Sequence, residues 1–289
     1  MPQTKTLVVL GNCQAQMLEG IMSQAVQDVA IKRLPPVFEF TEQDRPAVVA
    51  AFDKADHIFA QRVSEDYHLD WVRPSQLRER YPHKTLVWPN LYFDGYFPDA
   101  QYMYRAPYGK VQGPLDDYHL RRVFEAHKTG RTAASAVDSI VRGDPRLDAN
   151  AFKKSFDQLA LREKDADVPI SDFIRHEVAR RRSFYTPNHP SNVLLIEMAR
   201  RLADRVDLLF SMERAQAFSY SLDQIYIPSY PSIRTLNSIT FPELDSYLGR
   251  TVEAVTPDAI QLGATRHYTP AELVEEFYRL YDVVFAGSR

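Results

Sequence analysis

The chain has 289 residues, of which 45% are hydrophobic and 25% charged, and its formal net charge is −3. That length can bury a sizeable core in one large domain or two, and the balance is that of an ordinary soluble globular protein. It excludes the global basic field expected of a nucleic-acid binder. The single cysteine excludes an intramolecular disulfide and fits a reducing cytosol. No run approaches the ~20 apolar residues that span a bilayer, and Leu7–Leu10 is far shorter than a signal-peptide core. The expectation is a cytoplasmic protein without a transmembrane segment.

Leu7–Leu10, bounded by Gly11, reads as a short buried strand. From Met17 the apolar positions Met17, Leu18, Ile21, Met22, Ala25, Val26 and Val29 mark one helix face. Cys13 therefore sits where a strand ends and a helix begins. Ile31–Leu34 predicts a second strand, Pro46–Phe52 a short helix, and His57–Ala60 a third strand running into Gln61-Arg62. Trp71–Arg80 predicts a helix, and Thr85–Trp88 a fourth strand stopped at Pro89-Asn90. This alternation is the rhythm of a parallel sheet, whose ligands bind beyond the carboxyl ends of the strands. Cys13, Gln61-Arg62 and Asn90 each follow a predicted strand directly, which gathers them at one edge.

Leu91–Pro114 is rich in Tyr, Phe, Pro and Gly and reads as a long aromatic connection, either functional or covering a core edge. From Asp116 the pattern turns mostly helical, with helices over Tyr118–His127 and Ala133–Arg142. Phe152, Phe156 and Leu159 mark a third, and Ile170, Phe173, Ile174 and Val178 a fourth. A long helix spans Pro190–Phe210, and Tyr226–Pro231 is an aromatic-proline connector. The final helix opens on the capping box Thr269-Pro270-Ala271-Glu272, with Leu273, Phe277, Leu280 and Val284 on its apolar face. The expected architecture is α/β. An α/β domain over 1–115 carries the Gly-Asn-Cys-Gln turn, and a mostly helical region over 116–289 packs over the site and contributes His119 and His189.

A thiol at a helix N-terminus has its pKa lowered, so Cys13 is read as the anchor of a site, although a lone cysteine also packs well as a small apolar residue. Pro190 reads as a first helical residue, which makes His189 the cap. The dipole there disfavours imidazolium and leaves a neutral ring able to take a proton, while capping alone also accounts for Asn188 or His189. Asp116-Asp117-Tyr118-His119 is a third polar cluster, in which the acids are ordinary first-turn residues and an isolated His119 is more often structural. There is no H-E-x-x-H and no paired cysteine spacing, so no metal is expected. There is also no G-x-G-x-x-G, no phosphate-loop motif and no G-x-S-x-G elbow. Arg62, Tyr108 with Lys110, and the Arg180–Arg182 run (Arg181 and Arg182 above all) are cations or near-cations that could meet phosphates, against the usual account of a solvated face.

Gly11-Asn12-Cys13-Gln14, Asp117-Tyr118-His119 and Asn188-His189-Pro190, in that order over roughly Leu7 to Phe210, resemble the WcbI-type polysaccharide biosynthesis proteins. The resemblance implies an acyltransferase that takes acetyl groups from acetyl-coenzyme A to a hydroxyl of a capsular sugar or its precursor, without a metal, and associates with capsule-assembly enzymes. On it, Cys13, His189 and His119 are the catalytic candidates, in one version with Cys13 accepting the acetyl group and in the other with a histidine as base. Asn12, Gln14 and Asn90 are candidate oxyanion donors, and Gln61, Arg62, Tyr108, Lys110, Asn188, Arg181 and Arg182 candidate binding residues. More distantly the layout is similar to SGNH hydrolases, with Cys13 in the serine's place, but no aspartate stands just before His189. The rival functions are an SGNH-like esterase of acylated carbohydrate and a non-catalytic coenzyme A-binding subunit.

Overall fold

The structure is a computed structural model that describes residues 4–256 and 258–286. It divides into two compact units. The first comprises the chain up to Tyr92 together with Asp157–His176 and Pro190–Ser221, and the second comprises Phe93–Phe156, Glu177–His189 and the stretch from Leu222 onward.

The first unit is built on a parallel sheet of β1 (Lys5–Leu10), β2 (Val29–Arg33), β3 (His57–Gln61) and β4 (Thr85–Trp88), in the order β2-β1-β3-β4. Leu7 pairs with Ile31 on one side and His57 on the other, and Ile58 pairs with Thr85. Leu7, Val8, Val9 and Leu10 are all buried, as a parallel strand covered on both faces requires. Val8, Leu10, Ile58 and Ala60 share a core cluster with Val48 and Phe52 of α2 (Arg45–Lys54) and Leu77 of α3 (Pro74–Arg80). Alternate residues of β1 and β3 therefore face α2 and α3. The predicted helix over Trp71–Arg80 is split: Asp70–Val72 is a 3₁₀ turn and the helix proper starts at Pro74, where proline suits the first turn.

Helix α1 (Cys13–Ala25) buries Ala15, Leu18, Ile21, Met22 and Ala25 and packs on the helices Asn192–Asp204 and Met212–Gln216. The open side of β4 is closed by Asp167, whose carboxylate accepts from the Val87 N–H at 2.7 Å while its own N–H donates to the Val87 carbonyl at 2.7 Å. An edge so occupied is not free to pair with another chain.

In the second unit the helices Arg121–Lys128, Ala133–Arg142 and Pro270–Val284 pack together. The last opens on the expected capping box, with the Thr269 N–H donating to Glu272 at 2.8 Å, and it buries Leu273, Phe277, Leu280 and Val284. The aromatic connection supplies core: Phe93, Tyr96 and Phe97 are buried, and the Phe93 ring lies 5.4 Å from Phe184 and 5.1 Å from Phe152.

The stretch after Asp116 also holds an antiparallel hairpin, Tyr247–Val255 with Ile260–Tyr268, that the helical pattern did not foretell. Its register shifts between Arg250 and Val252 and again between Val252 and Ala254. Each shift breaks the two-residue alternation by which a half-buried strand is recognised.

Of the glycines in the first unit, Gly11 leaves the least room for a side chain. A Cβ there would lie 2.6 Å from the Gln61 Cβ and 2.9 Å from the Ala15 Cβ. Gly11→Ala is expected to destabilise the protein by about 1–3 kcal/mol, the usual range for overpacking. Chemical denaturation measures it, and an unchanged midpoint would remove Gly11 from this account.

Candidate functional site

The order β2-β1-β3-β4 reverses direction between β1 and β3, which makes that crevice the switch point of the sheet. Gly11, Asn12 and Cys13 leave β1 there, and Gln61 ends β3. Asn12 is the N-cap of α1: its side-chain oxygen accepts from the Gln14 N–H at 2.9 Å, and its carbonyl accepts from the Ala15 N–H at 2.9 Å. This is the chemistry expected of asparagine before a helix. The Gly11 carbonyl accepts from the Val37 N–H at 2.8 Å.

Behind the turn runs a ladder of amides. The Asn12 N–H donates to Gln61 Oε1 at 2.9 Å, and Gln61 Nε2 donates to Gln14 Oε1 at 2.8 Å. Gln14 Nε2 donates to Asn90 Oδ1 at 3.1 Å and to the Leu91 carbonyl at 2.9 Å, and the Leu91 N–H returns to Gln14 Oε1 at 3.0 Å. Gln14 is fully buried and Gln61 nearly so. A buried amide tolerates such a place only when it is hydrogen-bonded, because an unmatched polar group there costs about 1–3 kcal/mol. The ladder joins the ends of β1, β3 and β4, so the structure brings Asn12, Cys13, Gln14, Gln61 and Asn90 together. Gln14, expected as an oxyanion donor, is instead a scaffold residue with both ends of its amide engaged.

Cys13 is the first residue of α1 and is partly exposed. Its thiol pKa is raised, not lowered as its position suggested: burial outweighs the N–H groups of Gln14 and of Cys13 itself, which act the other way. Desolvation of a thiolate at a partly buried position is the larger effect. The resting group at neutral pH is the thiol.

In the second unit, His189 does not cap a helix. The helix starts at Asn192 with Ser191 at the cap, while His189-Pro190 forms a short strand paired with Phe184–Thr186 across the turn Pro187-Asn188. Its ring is neutral at pH 7 all the same, because burial pushes the pKa down to about 4, against the field of Asp117. His189 Nδ1 is buried with no hydrogen-bond partner among the described residues. Asn188 Oδ1 accepts from the Tyr118 hydroxyl at 2.7 Å. His119 lies in a short strand, His119–Leu120, not in a helix, and is fully buried. Its Nδ1 is 2.9 Å from the Tyr281 hydroxyl and its Nε2 2.9 Å from the Val111 carbonyl, so both nitrogens are engaged as in a core histidine.

The candidate phosphate cations Arg62, Lys110, Arg181 and Arg182 each meet a carboxylate. Arg62 meets Asp165 at 3.3 Å, Lys110 meets Asp117 at 2.8 Å, and Arg181 meets Glu177 at 2.5 Å. Arg182 meets Glu243 at 2.8 Å and lies 4.3 Å from the Tyr226 ring centre, a pair of contacts that makes it part of the core. The Tyr108 hydroxyl donates to the Thr256 carbonyl. The amide ladder went unread in the sequence because three glutamine and asparagine side chains far apart in the chain carry no spacing signal.

Alkylation of Cys13 by iodoacetamide is expected to be slower at pH 7.5 than that of a free cysteine peptide. Its rate should still climb beyond the pH at which the peptide levels off. Mass spectrometry over a pH series measures it, and a plateau below pH 7 would contradict a raised thiol pKa.

Among the described residues no group of three His, Cys, Asp or Glu side chains could hold a metal ion, and no helix is long and apolar enough to cross a membrane. No curated protein matches the chain. A solved structure of WcbI, described as a novel polysaccharide biosynthesis enzyme in a native form without a disulfide bond between coenzyme A and the cysteine fourteenth in its chain, shares the fold. The TM-score is 0.70 at 20% identity, covering 96% of this chain and 95% of that one. The sequence profile of the polysaccharide biosynthesis enzyme WcbI matches residues 6–210. With most of its length matched, this chain belongs to the WcbI family of polysaccharide biosynthesis enzymes.

Proposed function

We propose that the protein is a coenzyme A-dependent O-acetyltransferase acting on a hydroxyl of a capsular sugar or its precursor. The observation that carries the reading is the Cys13 turn at the sheet's switch point, held by buried amides and presenting a partly exposed, protonated thiol. The relative of like fold whose description pairs coenzyme A with a cysteine close to the start of its chain supports assigning the sulfur end of the donor to this turn. Arg62 is the cation suited to a donor phosphate, because its partner Asp165 is well exposed and a surface pair of that kind exchanges at little cost.

A raised thiol pKa favours direct transfer over an acetyl-cysteine intermediate. The acceptor oxygen attacks the thioester carbonyl carbon, its proton passes to a neutral imidazole, the carbon–sulfur bond breaks, and the proton returns to the departing sulfur. The products are an O-acetyl ester and the free thiol of coenzyme A. His189 is the base in this reading, since its ring is neutral at pH 7 and lacks a partner at Nδ1 among the described residues. Cys13 lines the donor site and makes no bond to the acetyl group.

Incubation with labelled acetyl-coenzyme A and a capsular oligosaccharide, followed by mass spectrometry, tests this. The label is expected on the sugar and not on Cys13. Cys13→Ala is expected to keep turnover within about tenfold, and His189→Asn to lose about 100-fold or more, the range of a general base. A base must be unprotonated, so kcat/KM should fall as pH drops through about 4, the pKa of His189. Label on Cys13 would overturn direct transfer. Acetate release from acetylated sugar without any saturable binding of coenzyme A would replace the proposal with an esterase.

A further inference from the structure

His189 follows a two-residue turn, and the second unit ties that turn down more firmly than a turn requires. Proline at the first corner, as in Pro187-Asn188, already favours a tight turn. The Pro187 carbonyl accepts from the Phe93 N–H at 2.8 Å. Asn188 Oδ1 accepts from the Tyr118 hydroxyl at 2.7 Å and from Thr186 Oγ1 at 3.2 Å. Tyr118 is 3% exposed, so its ring has little room to swing. Behind it stands Tyr102, with the two hydroxyls 2.9 Å apart and the rings 4.9 Å between centres. Because Tyr118 donates onward to Asn188, Tyr102 is the donor to Tyr118. Lys110 lies 4.8 Å from the Tyr102 ring centre and is paired with Asp117, so the outer end of the relay is held as well.

The geometry points to Tyr118, backed by Tyr102 and Thr186, as the positioning group for His189: the hydroxyl relay ending on Asn188 fixes the turn and through it the imidazole. The inference rests on His189 being the base of the proposed transfer. It gives Tyr118 a role and joins it to residues no motif links to it, since Tyr102 and Tyr118 lie 16 positions apart and Tyr118 reaches Asn188 from a distant part of the chain. Buried hydrogen-bond chains of this kind hold a geometry more rigidly than their pairwise parts suggest. An imidazole held out of water keeps its low pKa, and one on a loosened turn rehydrates. The charge that acts on the ring is Asp117, which already raises the pKa and is paired with Lys110, so it supplies no downward shift.

The test is a histidine titration by NMR on the full-length protein, with His189→Asn identifying the signal, alongside acetyl-transfer kinetics. In Tyr118→Phe the His189 midpoint is expected to move up by at least about one pH unit, from about 4 toward that of a free histidine. The kcat should fall about tenfold with KM for acetyl-coenzyme A unchanged within about twofold. Tyr278→Phe, which removes only a surface hydroxyl bonded to the Arg131 carbonyl, should move neither. Thr186→Val removes the weaker donor and should shift the midpoint the same way by less, and it serves where Tyr118→Phe does not fold. A folded Tyr118→Phe, or Thr186→Val in its place, with an unmoved His189 midpoint overturns the inference. A moved midpoint in a protein that transfers no acetyl group upholds the mount and overturns the acetyltransferase reading instead.

Discussion

Everything at the sheet's carboxyl edge depends on two glutamines bonded to each other out of water. Gln61 accepts from the Asn12 N–H with one end of its amide and donates a hydrogen bond to Gln14 with the other, and Gln14 carries the connection to Asn90 and Leu91. Three strand ends are thereby tied by side chains in addition to the sheet's own backbone ladder. The close approach of Gly11 to Gln61 is a consequence, since the backbone must come near enough for the Asn12 N–H to reach the amide. Such a ladder suits a site whose turn must not move, because each rung removed leaves an unmatched group in a dry place.

The environment so created decides the chemistry of Cys13. A helix N-terminus lowers a thiol's pKa, and burial raises it. Here burial is the stronger of the two. The same physics governs His189, where desolvation keeps the ring neutral without any helix dipole. The two groups are therefore poised alike at neutral pH, both uncharged. An uncharged imidazole is free to accept a proton.

The sequence was most legible where a single local rule decides the outcome. Leu7–Leu10 before Gly11, the four-strand alternation, the strand-to-helix turn at Cys13 and the Thr269–Glu272 box all appear in the structure because each is set by residues within one turn or one strand. It misled where two local rules compete. Pro190 signals a helix start, yet the pairing of His189-Pro190 with Phe184–Thr186 delays the helix to Asn192. His119 reads as part of an amphipathic helix, yet bonds to Tyr281 and Val111 hold it in a strand. It was silent where partners are remote. Gln14 with Gln61, and Tyr118 with Asn188, are pairs that only the folded chain brings together.

The central claim is that Gln14 and Gln61 act as one unit in holding the Cys13 turn. A double-mutant cycle with Gln14→Met and Gln61→Met, read by chemical denaturation, tests it most directly. Side chains in direct contact couple by about 0.5–3 kcal/mol, and independent ones add within about 0.5 kcal/mol. The double variant is expected to be less destabilised than the sum of the singles, by at least about 1 kcal/mol. Additive losses would mean that the two amides stabilise the sheet edge separately, and the ladder as the organising feature of the site would be wrong.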